Sequence, residues 1–413
     1  MSCGVDGRGF RPSYNDLTMN RPDLLQRLSA AVRQRERDGL RRHPLILDGF
    51  DGVHGRVAGQ RVTCFCSNDY LGLAHHPDVI RAWRDAAATC GVGSTGSHLV
   101  CGHHREHVLL EQALAEWIGR DAACVFSSGM MANLGIMQAL LGRGDVCVQD
   151  KLNHASLIDA VRSTGATLKR YPHADAEAAA RQLAAAGDAP ALLATDGVFS
   201  MDGDIAPLPD LAALAAREHA TLMVDDAHGL GVLGPEGSGS VRAAGLTQRD
   251  VPVLMGTLGK ALGCHGAFVA GSRELVDGLV QFARSYVYTT AMPPALAAAA
   301  RAAVGIARAE SWRRDKLASL IARFRTGATE LGLPLMASTT PIQPLLMGDS
   351  AHAVAVQKHL EAAGFLVVAI RPPTVPAARA RLRITLSAAH EEADVDRLLD
   401  TLAVSLVTRA HVQ

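Results

Sequence analysis

The chain has 413 residues, 48% of them hydrophobic and 20% charged, the balance of a globular protein able to bury a large core and to divide into domains. Lys plus Arg and Asp plus Glu number 41 each, so no net field draws the chain to nucleic acid or to a membrane. It has no run of about 18 apolar residues to span a bilayer and no apolar stretch near its start to act as a secretory signal, so a cytoplasmic location is expected.

Residues 1–20 read as a loose polar arm. From Leu24 to Arg42 the letters LLQRLSAAVRQRERDGLRR predict a helix of strong helix formers ending in a basic cluster. Short strand-like runs follow near Leu45–Leu47 and Arg61–Phe65, then a polar turn, CSNDYLGL. Cys64-Phe65-Cys66 would point two thiols to one face of an extended segment. The eight cysteines (3, 64, 66, 90, 101, 124, 147 and 264) show no C-x-x-C spacing, and reduced, buried thiols are expected. GVGSTGS (91–97) matches G-x-G-x-x-G, but a helix-like run precedes it where the dinucleotide fingerprint needs a strand. His103, His104 and His107 lack an H-E-x-x-H pattern and a completing carboxylate. They read as a solvated helix start, and no metal site is expected.

From Ala122 onward apolar runs alternate with helical patterns. Strands are predicted at Ala122–Phe126, Val146–Val148, Ala191–Ala194, Thr221–Val224 and Val251–Leu254. Helices are predicted between most of them, at about Met130–Leu141, Leu157–Ser163, Ala174–Ala186 and Leu208–His219. That alternation predicts a mostly parallel sheet covered by helices. A long alanine-rich helical region follows Met292-Pro293-Pro294 and runs to about Leu331. The rest reads strand, helix, strand, strand, helix, with Val395, Leu398, Leu399, Leu402 and Leu406 on one helix face. The expected organisation is an arm and helix (1–50), a large α/β domain (51–300) and a smaller C-terminal α+β domain (301–413).

In open α/β sheets ligands bind beyond the carboxyl ends of the strands, and reactive residues fall there. Lys260, between two strand-like runs and flanked by Gly259 and Gly263, is either a turn lysine in water or an amine nucleophile able to form a Schiff base. Asp225-Asp226-Ala227-His228 is either a metal-binding or ion-paired acidic turn, or a carboxylate for a ring nitrogen with a histidine for a nearby oxygen. His154 would stack on a planar cofactor or sit in a polar turn. Ser127-Ser128-Gly129-Met130 offers backbone N–H groups at a helix start, suited to phosphate, although either serine would serve as a plain cap. Ser200 and Thr257 are further hydroxyl donors or turn residues. Together these are the parts that a pyridoxal phosphate site needs.

From about residue 25 to the C-terminus the chain resembles the α-oxoamine synthases, which are fold-type I pyridoxal-phosphate-dependent transferases. The resemblance rests on SNDYLGL (67–73), SSGMMAN (127–133), DKLNHASL (150–157), DGVFSMDGD (196–204), VDDAHGLGVLG (224–234), GTLGKALG (256–263), QFARSYVYTTAMPPA (281–295) and IRPPTVP (370–376). The last two motifs are similar to those of the family branch that serves biotin synthesis. The resemblance implies that Lys260 carries pyridoxal 5'-phosphate and moves the Cα proton, and that Asp225 pairs with the ring nitrogen. His154 would stack on the ring and His228 contact its oxygen, while Gly129, Met130, Ser200 and Thr257 line the cofactor. Arg41, Arg371 and Thr374 would contact substrate, with Asn68 orienting the site.

The implied reaction is the decarboxylative condensation of L-alanine with a pimeloyl thioester, carried on coenzyme A or an acyl-carrier protein. A homodimer is implied, with Thr289 or Thr290 reaching across. The family carries glycine or arginine where this chain has His98, a difference that bears on the acyl chain. The rivals are the same chemistry on glycine or serine with another thioester, and a non-catalytic partner subunit, which would be expected to lack the lysine.

Overall fold

Runs such as CVF, LLAT and LMV have no polar side to turn toward water, so they must be covered on both faces. The computed structural model describes residues 23–407, and the arm expected over residues 1–20 lies outside them. The described chain up to Ile46 forms one compact unit and the chain from Leu47 onward another.

In the first unit Asp23 caps the helix Leu24–Arg37 by accepting from the N–H groups of Leu25 and Gln26. The helix stops short of the expected Arg42, because Gly39 turns the chain at φ +64°.

The second unit holds a seven-stranded sheet. Its spatial order is Ala122–Phe126, Ala267–Gly271, Val253–Thr257, Thr221–Asp225, Ala191–Asp196, Val146–Asp150 and Thr167–Tyr171. The last five of these pair in parallel, and Ala267–Gly271 runs antiparallel to both of its neighbours. Alternate residues face two cores: Val125, Val148, Leu193, Val224 and Phe268 on one side, Phe126, Cys147, Leu192, Met223 and Val269 on the other. Three strands run past their predicted ends to Asp150, Asp196 and Asp225. Apolar periodicity does not count those carboxylates, but the backbone ladder does. Conversely, Pro252 has no N–H to give the ladder, and that strand begins at Val253 rather than Val251. The edge strand Thr167–Tyr171 was not predicted, since TLKRY carries two charges.

Helices Gly129–Leu140, Ala155–Arg162, Ala176–Ala184 and Leu208–Arg217 lie near their predicted ranges. The alanine-rich region is two helices, Pro294–Ala309 and Ser311–Glu330, because Glu310 leaves helical geometry at φ −95°, ψ 71°. Its buried small residues, Ala297, Ala300 and Ala303 among them, let the first of these pack against helices Pro77–Cys90 and Arg105–Ile118. The run GVGSTGS follows a helix and leads into a short π-helical turn, His98–Gly102, so the strand–turn–helix of a dinucleotide site is not there.

Toward the C-terminus, Ile342–Gly348, Ala380–Thr385 and Val368–Ile370 form a three-stranded antiparallel sheet. Helix Glu392–Val407 buries Val395, Leu398, Leu399 and Leu402 of the predicted face, and the side chain of Leu406 lies outside the described ones. The early strands Leu47–Asp51, His54–Val57 and Gln60–Cys64 form a second small sheet whose Gln60–Cys64 edge pairs in parallel with Phe365–Leu366. The class is therefore α/β, with a large, mostly parallel sheet and smaller α+β layers. No described helix is long and apolar enough to cross a membrane.

Candidate active site

Five parallel strands end on the same side of the large sheet, and the chemistry gathers at those ends and in the turns after them. Asp225 is the last residue of its strand, Asp196 the last of the neighbouring one, and Thr257 the last of the strand on the other side. Lys260 follows Thr257 in the loop that returns as Ala267–Gly271. Gly263 makes that loop possible: it sits at φ +64°, and a Cβ there would lie 2.3 Å from the Ala74 backbone nitrogen.

These residues enclose a cavity of 220 Å³. Its walls include Gly129, Met130, His154, Ser200, Asp225, His228, Thr257 and Lys260, so eight residues expected from sequence converge on one space. Ser156, Asp196, Val198, Ala227 and Met255 complete the lining. A larger depression of 750 Å³, between Asp48 and Arg397, lacks a comparable amine–carboxylate set.

Hydrogen bonds fix the key side chains. Asp225 Oδ1 accepts from the Ala227 N–H at 3.1 Å, and its Oδ2 accepts from Asn133 Nδ2 at 2.9 Å. The other proton of that amide goes to Ser156 Oγ at 2.7 Å. Ser156 holds His154: its Oγ is 2.7 Å from Nδ1, and its backbone N–H donates to the same nitrogen at 3.3 Å. Nδ1 therefore carries a lone pair, which makes His154 the Nε2–H tautomer. The His154 backbone N–H donates to Asp196 at 3.1 Å. Asn133 is fully buried, and its Oδ1 has no partner among the described residues.

A second line runs behind the cavity. The Tyr70 hydroxyl donates to Asn68 Oδ1 at 3.1 Å and lies 2.7 Å from His228 Nδ1. Arg383 donates to the same Asn68 oxygen at 3.1 Å and to the Ser200 carbonyl at 2.6 Å. Asn68 thus supports the wall rather than lining it.

Burial sets the titration of the site. It lowers the Lys260 amine to about 8, although Asp225 and Asp196 favour its charged form. Burial also lowers His154 and pushes His228 far down, the latter with help from the Lys260 and Arg383 charges. The Asp196 carboxyl is driven well above its ordinary range by burial and by the nearby Asp225. Asp226 has a different task. Its carboxylate accepts from the Ser240 N–H and Oγ, each at 2.7 Å, and holds the loop together.

Arg41 belongs to the N-terminal unit and pairs there with Glu36. Arg371 and Thr374 lie in the 371–379 loop, where the Thr374 N–H donates to the Arg371 carbonyl, and neither is part of the lining. Ser128 is a helix cap, accepting from Met131 N–H at 3.3 Å, and Ser127 donates to the Thr290 carbonyl at 3.4 Å. The His103–His107 stretch is not the solvated start expected. His107 is fully buried, with its Nδ1 accepting from His104 N–H and its Nε2 2.8 Å from the Met292 carbonyl. His98, His103 and His107 form a cluster of potential ligand atoms, but those two bonds commit both nitrogens of His107. His98 stacks on Tyr286 with ring centroids 4.5 Å apart.

Asn133, Tyr70 and Arg383 were missed. Asn133 stands four residues after Gly129, one helical turn on, and so shares its face. Arg383 was visible as one of two arginines in the strand ARLRIT.

The chain as a whole resembles known proteins. The family described as Aminotransferase class I and II matches residues 60–402. A curated 8-amino-7-oxononanoate synthase of Stenotrophomonas maltophilia is 57% identical over 93% of this chain and 95% of its own. One from Halorhodospira halophila is 56% identical over 94% and 97%. The chain belongs to the 8-amino-7-oxononanoate synthase family. Among solved structures, an 8-amino-7-oxononanoate synthase of Francisella tularensis superposes at a TM-score of 0.74, 29% identical over 84% of this chain and 99% of that one. A Sphingomonas wittichii serine palmitoyltransferase reaches a TM-score of 0.89 at 31% identity, over 93% and 98%. Another serine palmitoyltransferase, described with a PLP internal aldimine, gives 0.89 at 29% over the same shares. The curated relatives at 56–57% identity bear the one name, whereas neither shape nor identity among the solved structures separates the two activities.

Proposed function

We propose that this chain condenses L-alanine with a pimeloyl thioester, on coenzyme A or an acyl-carrier protein, with loss of carbon dioxide. The product is 8-amino-7-oxononanoate for biotin synthesis, and the cofactor is pyridoxal 5'-phosphate. The observation that carries the reading is the convergence of Lys260, Asp225, His154 and His228 on one 220 Å³ cavity. The residues fit the group. An amine, a carboxylate oriented by two donors, an imidazole of fixed tautomer and a helix start meet a ring that needs all four.

Pyridoxal phosphate supplies an aldehyde carbon and a ring that drains electrons from the substrate Cα. The chain supplies the rest. Lys260, lowered to about 8, has a usable share of neutral amine near neutral pH, and would hold the cofactor by its aldehyde and take and return the alanine Cα proton. Asp225, kept in place by Asn133 and the Ala227 N–H, holds the proton on the ring nitrogen. His154, locked by Ser156, would stack on the ring. His228, backed by Tyr70 and Asn68, would contact the ring oxygen. Gly129, Met130, Ser200 and Thr257 would line the cofactor, with the dipole of helix Gly129–Leu140 favouring its anion.

Arg41, Arg371 and Thr374 belong to the proposal as substrate contacts. Arg371 suits a carboxylate, which its planar fork can bind twice. A cytoplasmic homodimer is part of the same reading, and light scattering tests the dimer. The reaction is tested by thiol release across a panel of amino acids and thioesters. Release that requires L-alanine and the pimeloyl thioester together supports the proposal. Preference for glycine or serine, or for an acetyl or long-chain thioester, overturns it.

A further inference from the structure

Cys64 ends the Gln60–Cys64 strand, and Cys66 follows two residues on, where the chain bends. An extended segment sends such residues to one face, and the two sulfurs lie 3.7 Å apart. Both thiols are free. Cys64 is buried and Cys66 half-buried, so the pair is open to small solutes from the Cys66 side.

The two sulfurs are not equivalent. The bond between the two sulfurs, which either is able to donate, and the backbone N–H groups of Cys66 and Ser67 hold the Cys64 thiol below its ordinary value despite burial. The same bond, with burial, pushes the Cys66 thiol up. One sulfur is thus disposed to attack and its neighbour to resolve.

We infer that Cys64 and Cys66 form a peroxide-sensitive dithiol, a modification site that closes to an intramolecular disulfide beside the active-site turn. The Cys64 thiolate attacks one oxygen of hydrogen peroxide, the O–O bond breaks, and hydroxide leaves with Cys64 as a sulfenic acid. The Cys66 sulfur then attacks the Cys64 sulfur, its proton goes to the departing oxygen, and water leaves. Two thiols are oxidised, and one peroxide is reduced to two waters.

Closure brings the sulfurs to about 2.05 Å, a movement of roughly 1.6 Å from their 3.7 Å separation. The next residues feel it. The Ser67 carbonyl accepts from Thr385 Oγ1 at 2.7 Å, and Asn68 Oδ1 accepts from Tyr70 and Arg383. Oxidation would therefore disturb the line from Asn68 through Tyr70 to His228, a consequence that rests on the proposed function.

Trypsin cuts after Arg61 and Arg81, and the peptide between holds Cys64 and Cys66 and no other cysteine. The full-length protein is treated with equimolar hydrogen peroxide, quenched with iodoacetamide, digested and weighed. The expected peptide is unalkylated and about 2 Da lighter than the dithiol, and dithiothreitol returns it to the doubly alkylated form. In Cys66→Ser, dimedone should trap a sulfenic acid on Cys64, while Cys64→Ser should not react. A doubly alkylated peptide after peroxide overturns the dithiol, and equal reactivity of the two serine variants overturns Cys64 as the attacking sulfur. Thiol release should fall several-fold on oxidation and recover with dithiothreitol, in the wild type but not in Cys64→Ser. Closure that leaves turnover unchanged overturns the link to the active site. Because the mass reports closure whether or not the protein turns over, failure of the functional reading is seen separately.

Discussion

The titration of Lys260 offers the sharpest test of the site's electrostatics. Burial lowers its amine from 10.5 to about 8. At pH 7 the neutral fraction is then about 9%, against roughly 0.03% for an ordinary lysine, a gain of about 300-fold in reactive amine. Two neighbours push in opposite directions. Asp225 favours the ammonium, so Asp225→Asn should move the midpoint further down. Arg383 opposes it, so Arg383→Met should move the midpoint up, while burial keeps it below that of an exposed lysine. The assay is competitive trace acetylation of the cofactor-free protein between about pH 6 and 11, read by mass spectrometry at Lys260 against exposed lysines. A wild-type midpoint at or above that of the exposed lysines would refute the argument, as would shifts of reversed sign in the two variants.

Three more outcomes follow from named contacts. Asn133→Ala takes one donor from Asp225, a charge-assisted bond worth about 1.5–3 kcal/mol. Pyridoxal phosphate titrated into the variant should bind at least tenfold more weakly, and unchanged affinity would remove Asn133 from the site. His173 sits between Asp150 and Asp204 at 3.2 and 2.8 Å. Burial opposes its charge, but the bonds to those carboxylates raise it from 6.5 to about 10. A raised folded-state value stabilises fully below about pH 6.5 and fades as pH climbs through about 10. Urea midpoints should therefore decline across that window in the wild type and stay flatter in His173→Gln. Gly263→Ala adds a Cβ 2.3 Å from the Ala74 nitrogen at positive φ, and should cost about 2 kcal/mol or more in thermal melts. A neutral result would mean that the loop can move.

Where residues owe their position to a strand end, the letters were enough to find them. Asp225, Thr257 and Lys260 each follow an apolar run, and a parallel sheet brings such ends together. His154 and Gly129 were legible for a similar reason, as helix starts after strands. The residues that position these groups were not, because their partners are far along the chain. Asn133 meets Asp225 across 92 positions, Tyr70 meets His228 across 158, and Arg383 meets Asn68 across 315. Local pattern says nothing of such pairs. His107 was misread because it is buried and bonded to the distant Met292 carbonyl, which its polar neighbours in sequence do not reveal. The edge strand Thr167–Tyr171 escaped because charged letters hide extended backbone at the margin of a sheet.

The central claim is that Lys260 carries pyridoxal phosphate in this cavity, and its most direct test is chemical trapping. The protein is loaded with pyridoxal phosphate, reduced with borohydride, digested and mapped by mass. The account predicts one phosphopyridoxyl group on Lys260, missed cleavage there, and loss of the visible band in Lys260→Ala. The group on another lysine, or no adduct with a full complement of cofactor present, would contradict it.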